Sequence, residues 1–204
     1  MFNKFAADAL GLSDIGKIID SKDFDKVESD DYIFSEDGEK IFFLIKSKSD
    51  EYCFTDRALI HVDGASAISK KKNLYRYEYF LHAISEVTLE TAGTIDLDVE
   101  IKFSVGEKYL SIDVDKKQLE QLKDLYKALF AISMTQRSNR IYLEESHKSL
   151  DIAVKSLANA RNNTQNMGVD FKNINEYAFS WMNANRDAFT KKDYSDIFEK
   201  YLNN

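Results

Sequence analysis

ISEVTLETAGTIDLDVEIKF, residues 84–103, is the stretch from which the fold of this chain can be read. Ile95, Leu97, Val99, Ile101 and Phe103 alternate with Thr94, Asp96, Asp98, Glu100 and Lys102. A strand of period two would therefore turn one face to a core and line the other mostly with carboxylates. The break Thr91-Ala92-Gly93-Thr94 separates it from a shorter strand marked by Val87 and Leu89. The tight connection Val105-Gly106-Glu107-Lys108 leads on to a further one at Leu110, Ile112 and Val114.

The same pattern continues upstream. Ile41–Ile45, Tyr52–Thr55, Ala58–Val62 and Leu74–Phe80 are short apolar runs parted by polar or glycine-containing turns, as in an antiparallel meander. In all, seven strands are expected, enough to curl into a barrel or sandwich. Asp115 is placed to cap a helix in which Leu119, Leu122, Tyr126 and Leu129 form one apolar stripe, suited to plugging the open end. Beyond Thr135 the pattern is wholly helical. Leu143, Leu150, Val154, Leu157 and Ala158 make one stripe, and Phe171, Ile174, Tyr177, Ala178, Trp181 and Met182 make another after a break near Asn162 to Gly168. Two such helices form a hairpin, and Asp193 to Leu202 adds Tyr194, Ile197, Phe198, Tyr201 and Leu202 at helical spacing. The expected class is thus α+β: an antiparallel barrel or sandwich capped by a helix, followed by an all-α hairpin. Residues 1–38 form a lead-in, 39–134 the β domain and 135–204 the helical extension. Within the lead-in, Phe2, Phe5, Ala9, Leu12 and Ile15 suggest a short amphipathic helix packed on protein.

Charge excludes some functions. The 204 residues carry a net charge of −7, which argues against nucleic acid as a partner because phosphate neutralisation needs concentrated Lys and Arg. The balance shifts along the chain: residues 1–134 hold 26 Asp and Glu against 18 Lys and Arg, and residues 135–204 hold 9 against 10. A single Cys53 in an apolar run cannot close an intramolecular disulfide, and the N-terminus shows neither a signal peptide nor a membrane span. A cytoplasmic location is the expectation. Proline is absent and glycine numbers seven, which favours long uninterrupted helices.

Three segments, EKIFFLIKSKSDEYCFTDRALIHVDG at 39–64, ETAGTIDLDVEIKF at 90–103 and QLEQLKDLYKALF at 118–130, resemble the bacterial pleckstrin-homology (PH) domain family. The whole chain is similar to the YvbH-like proteins, in which the PH-like domain is followed by a helical hairpin linked to homo-oligomerisation. The resemblance implies a seven-stranded PH-like barrel, no catalysis, and assembly into rings or higher homo-oligomers. Eukaryotic lipid-binding members carry Lys and Arg between the first two strands. Here that loop offers Lys46 and Lys48 but also Asp50 and Glu51, and the later Lys-x-Arg element is missing.

The candidate residues follow. Lys70, Lys71, Lys72 and Arg76 are the one basic run, a weak site for an anion or headgroup and more simply a solvated turn. Asp96, Asp98 and Glu100 stand about 7 Å apart on one strand face, a spacing that suits neither a calcium cage nor an acid–base pair. A subunit interface is their sharper reading, with Arg57 or Lys102 of a neighbour as countercharge. The aromatics Phe179, Trp181, Phe189 and Phe198 are too many for a two-helix unit to hide, which points to burial against another chain. His61, His82 and His147 show no ligand spacing, and no nucleophile, phosphate loop or metal motif is present. No catalytic residue, metal ligand or cofactor is therefore expected. The reading is a non-enzymatic scaffold that forms homo-oligomers and meets a protein or peptide partner. The alternative is a peripheral binder of membranes or anionic ligands, the membrane surface being the less favoured partner.

Overall fold

The computed structural model describes residues 15–64, 72–91, 98–159 and 167–202, with the backbone alone for 157–159 and 167. All but the end of the expected N-terminal helix lies outside them. The chain divides into two units, Met1–Ser133 with Lys192–Asn204, and Met134–Lys191.

In the first unit, β1 (Lys17–Ile18) is followed by three short 3-10 segments, Ser21–Lys26, Glu28–Tyr32 and Ser35–Asp37. Next come β2 (Ile41–Lys46), β3 (Glu51–Thr55), β4 (Ala58–Gly64), β5 (Lys72–Glu78), β6 (Ile84–Glu90), β7 (Asp98–Val105) and β8 (Lys108–Asp115). The sheets run β1-β2-β3-β4-β5 and β6-β7-β8. All neighbours are antiparallel. The expected seven strands are found, and β1 is an eighth too short to leave a pattern. β7 carries the alternation read from its sequence: Val99, Ile101 and Phe103 are buried, as is Val105 beyond them, and the residues between are not, while Ile95 and Leu97 lie outside the described residues. They face Phe43, Ile45, Phe54 and Leu59 of β2 to β4 in one core. Gly106 turns β7 into β8 at a φ of +59, where a Cβ would be strained.

A three-residue crossing joins the two sheets. Gly16 N donates to Asp113 O at 2.9 Å and Gly16 O accepts from Asp115 N at 2.9 Å, forming a parallel bridge to β8. The next two residues pair with β2, Lys17 with Lys46 and Ile18 with Ile45. Only glycine fits at the crossing, since a Cβ would sit 2.8 Å from both Asp113 O and Ile45 Cγ2. The Gln118 amide completes the seam by accepting from Ile18 N at 2.8 Å and donating to Ile18 O at 2.9 Å, as a neighbouring strand would.

The second layer is helical. Asp115 accepts from Lys117 N at 3.0 Å and caps a 3-10 turn, Lys116–Gln118, that runs into α1 (Leu119–Asn159), whose first part places Leu122, Leu125, Ala128, Leu129 and Ile132 in the core. α1 belongs to the first unit through Ser133 and to the second from Met134. α2 (Met167–Phe189) lies wholly in the second unit. α3 (Ser195–Leu202) belongs to the first unit again, which corrects one expectation. Phe198, read as an interface residue, is fully buried in its own unit, stacked on Phe42 at 5.3 Å and tilted against Tyr79 at 6.3 Å. Tyr194 is buried beside it, edge-on to Tyr79 at 5.7 Å, and its N–H donates to Asp56 O at 2.8 Å. The physical reason is that the apolar stripe of α3 has a partner within the chain, the Phe42 and Tyr79 side of the barrel.

Both closures are testable by urea denaturation of the full chain. Phe198→Ala should lower stability by about 3–5 kcal/mol, the usual cost of emptying a buried aromatic site. Gln118→Ala should cost about 2 kcal/mol, roughly 1 kcal/mol for each hydrogen bond of its amide. A change under about 0.5 kcal/mol for either would remove that residue from the account.

Candidate functional site

The five-stranded sheet sorts its side chains by face. Its outer face carries Leu44, Cys53 and Ile60, covered by Ile19 and Val27 and flanked by Phe24, Ile33 and Ile41. Burial pushes the Cys53 thiol well above its usual range, so it is core material rather than a nucleophile. Two carboxylates fasten this cover. Glu51 accepts from Ser29 N at 2.7 Å and Glu28 N at 3.3 Å and pairs with Lys46. Glu39 accepts from Phe34 N at 2.8 Å and Thr55 Oγ1 at 2.6 Å. Burial would raise the pKa of both acids. The charge and hydrogen bonds of Lys46 and the Ser29 and Glu28 N–H groups more than offset this for Glu51, as Thr55, Phe34 and Arg76 do for Glu39, and both end below the usual range.

The basic run falls on this outer face. Arg76 Nη2 holds Glu39 at 2.9 and 3.1 Å, its Nε holds Glu78 at 2.6 Å, and its guanidinium lies 4.4 Å from the centre of the Phe34 ring. Lys72 pairs with Glu28. Neither side chain is presented as a bare cation, while Lys70 and Lys71 lie outside the described residues. Arg76 and Glu78 share a strand face, a pairing visible in sequence. Glu39 and Glu28 are 37 and 44 residues from their partners and left no such signal.

The acidic candidates occupy the other sheet. Asp96 lies outside the described residues, and Asp98 stands opposite Asp115. Glu100 pairs with Lys102 at 2.7 Å and accepts from Ser111 Oγ, bonds that lower its pKa. Lys102 also holds Glu90 at 2.6 Å. The charge expected to answer these acids from a neighbouring subunit is thus engaged inside its own sheet. Arg57 likewise donates to Asp37 O at 2.7 Å.

The inner face of the five-stranded sheet holds a group that sequence reading missed. Phe43, Phe54, Leu59 and Tyr77 form one row across the strands, and Ile45, Tyr52, His61 and Tyr75 the next. Asp63, paired with Asn73, lies one step further out. Tyr52 and His61 stack at 4.4 Å, His61 and Tyr75 at 5.9 Å, and Tyr75 and Tyr77 at 6.3 Å. His61 is 5% exposed, its Nε2 lies 3.4 Å from Asp50 Oδ1, and its Nδ1 is buried without a hydrogen-bond partner. Asp50 also accepts from Ser49 Oγ at 2.6 Å; burial opposes its ionisation, but His61 and Ser49 outweigh that and lower its pKa. Burial first, then Asp50, Asp63 and Asp113, pushes the Tyr52 phenol well above its ordinary value. The available signal was that residues 52, 61, 75 and 77 alternate into one face of three adjoining strands.

The second unit has a different character. Among its described residues none is buried. Phe171, Tyr177 and Phe179 are 71%, 69% and 62% exposed, and Trp181 and Phe189 are half-buried. Phe189 meets Tyr142 at 5.4 Å between ring centres. At 3.6 residues per turn, Phe171, Ile174, Ala178, Trp181, Met182 and Phe189 share one side of α2, with Tyr177 and Phe179 on its flanks. Among the described residues no cluster of His, Cys, Asp and Glu could hold a metal, and no helix is long and apolar enough to cross a membrane.

Residues 9–133 match the family described as bacterial PH domain, and residues 144–204 match the YvbH-like oligomerisation region. The chain is 54% identical over 204 residues, 100% of both chains, to the uncharacterized protein YvbH of Bacillus subtilis (strain 168). It is 34% identical over 99 residues, 48% of this chain and 78% of the other, to the uncharacterized protein YjqA of the same organism. Among solved structures, a PH-domain-containing bacterial protein from Exiguobacterium sibiricum 255-15 is similar at a TM-score of 0.85 and 49% identity, covering 93% of this chain and 100% of that one.

Glu39, Asp50 and Glu51 set a pH dependence with a definite sign. Their folded pKa values lie below the unfolded ones, so the folded state binds protons more weakly. The stability they contribute is complete above the ordinary values of 4.5 for Glu and 3.8 for Asp and is lost as pH falls through the folded values. Urea midpoints should therefore fall between about pH 5 and pH 3. Glu51→Gln should be less stable at neutral pH and show a shallower fall; an identical pH profile would exclude Glu51 from the linkage.

Proposed function

We propose, from the premise that the chain belongs to the bacterial PH domain family, that it is a non-catalytic cytoplasmic scaffold. Its helical hairpin joins copies of the chain, and the joined barrels face a protein or peptide partner. The observation that carries this reading is the absence of any buried residue among the described part of Met134–Lys191. A soluble two-helix unit that displays Phe171, Ile174, Tyr177, Phe179 and Met182 leaves unburied the apolar surface that stabilises helices. A second hairpin offering the same stripe supplies what is missing, and aromatic anchors of this kind are enriched at the centres of interfaces. The matched oligomerisation region covers these residues and supports the same reading. Phe179, Trp181 and Phe189 remain its interface residues, and Phe198 leaves the set. The anionic-ligand alternative draws no support from Lys72 and Arg76, whose charges are met by Glu28, Glu39 and Glu78.

The test is absolute mass by light scattering on full-length protein. Cutting the chain at Met134 would not serve, because it also removes Tyr194 and Phe198 from the core. Phe171→Asp combined with Phe179→Asp changes only exposed positions. The unaltered chain should run as a multimer and the double variant as a smaller species that still folds. A monomeric unaltered chain, or a double variant of undiminished mass, would sink the proposal.

A further inference from the structure

The inner face of the five-stranded sheet carries an acceptor without a donor. Asp50 is an acceptor only, so the His61 nitrogen facing it, Nε2, carries the proton in the neutral ring. That leaves Nδ1 as a bare lone pair, and it is buried with no partner. Buried polar nitrogens in folded proteins are matched as a rule, and an unmatched one calls for an account such as a water, an ion or another molecule that donates to it.

The surroundings give the sign of that donor. Asp50 and Asp63 stand at the outer edge of this face, and their carboxylates, with burial, oppose ionisation of the Tyr52 phenol. No Lys or Arg occupies the inner positions of β2 to β5 among the described residues, because Lys46, Lys72 and Arg76 point to the opposite face. The walls are aromatic: Tyr52 and Tyr75 on either side of His61, with Tyr77 beyond. Tyr75 is 40% exposed, so this layer is reachable from solvent at β5 while Tyr52 and Tyr77 are only partly buried. Tyrosine rings and carboxylates around that acceptor favour a positively charged group that also carries N–H bonds.

We propose that this face seats an organic cation, the guanidinium or alkylammonium end of a basic peptide side chain, with His61 Nδ1 accepting an N–H and Asp50 and Asp63 supplying the countercharge. This deepens the scaffold reading above, on which it rests for the barrel being the part that meets the partner. It reverses the sign of ligand that the PH-like fold suggests. It also separates cations by chemistry: a quaternary ammonium has the charge and no N–H, and so lacks the contact to Nδ1. Several barrels in one assembly would raise the avidity of a weak single site for a peptide bearing several basic residues.

The experiment uses sedimented full-length protein with 15N-labelled histidine, where assembly size does not broaden the spectrum. His61→Asn identifies the His61 signals. The probe is N-acetyl-arginine N-methylamide, compared with the neutral citrulline analogue, tetramethylammonium and inositol hexakisphosphate. The arginine probe should move the His61 Nδ1 resonance saturably toward the hydrogen-bonded position. The citrulline analogue should bind about tenfold more weakly, as should the arginine probe to Asp63→Asn, a change that leaves the Asp50–His61 pair in place. Tetramethylammonium should leave Nδ1 unmoved. A Nδ1 signal that ignores the arginine probe, answers the citrulline analogue equally, or moves with inositol hexakisphosphate instead would overturn the proposal. A longer peptide with spaced arginines that binds no better per site than the single-residue probe would overturn the peptide source. Light scattering on the same sample distinguishes the two readings: a multimer whose Nδ1 does not respond fails the cation site alone, and a monomer whose Nδ1 does respond fails the assembly alone.

Discussion

Two sheets can enclose a core only if their edges are met, because unpaired strand edges leave rows of backbone donors and acceptors without partners. At the β2 and β8 edges of this chain that condition rests on three residues. Gly16 bonds to β8, Lys17 and Ile18 pair with β2, and the Gln118 amide holds Ile18. The crossing draws the ends of β2 and β8 together across a residue that must lack a side chain. The rest of the barrel follows from this seam. With β2 and β8 joined, the inner rows of both sheets face one another, and the first part of α1 and all of α3 cover what remains of the core.

Closing the barrel in this way gives each face of the larger sheet a separate chemistry. The outer face is shut by a cover of short 3-10 turns, and such turns hold little backbone hydrogen bonding of their own. Glu39 and Glu51 compensate by gripping the cover's N–H groups, and the nearby cations neutralise the acids. The basic residues are thereby committed to holding the fold together. The inner face holds no Lys or Arg among the described residues and runs from apolar through aromatic to acidic toward the strand ends. The segregation is a product of strand alternation: residues 44, 46, 51, 53, 60, 62, 74 and 76 go one way, and 43, 45, 52, 54, 59, 61, 75 and 77 the other.

The α+β class and PH-like plan were legible because strand alternation and helical stripes are local signals. β7 and β8 announce themselves through Ile101 and Ile112 in unbroken period two, and β2 and β3 as short apolar runs around Phe43 and Phe54. β1 was not legible, since two residues cannot display a period, and its role is set by Gly16 meeting Asp113, nearly a hundred residues away along the chain. Phe198 shows a further limit. Periodicity says that a side chain will be buried and is silent on what covers it, so a stripe that returns to its own barrel looks the same as one reserved for a neighbour. Arg76 and Lys72 read as a basic patch because Glu39 and Glu28, which meet them alongside Glu78, are remote in sequence. His61 read as one isolated histidine because the Tyr52 and Tyr75 rings beside it come from different strands.

The return of α3 also changes how the second unit is attached. The chain leaves the first unit at Ser133 and re-enters it at Lys192, so the excursion is a loop with two covalent moorings instead of a tail with one. Each mooring leads within a few residues to a buried anchor, Ile132 on one side and Tyr194 with Phe198 on the other. Any load applied to the excursion is divided between two strands of chain, and neither can yield without drawing a buried side chain out of the barrel. The attachment should therefore fail as a slow core-opening event, governed by an unfolding rate, and not as the fraying of a free end.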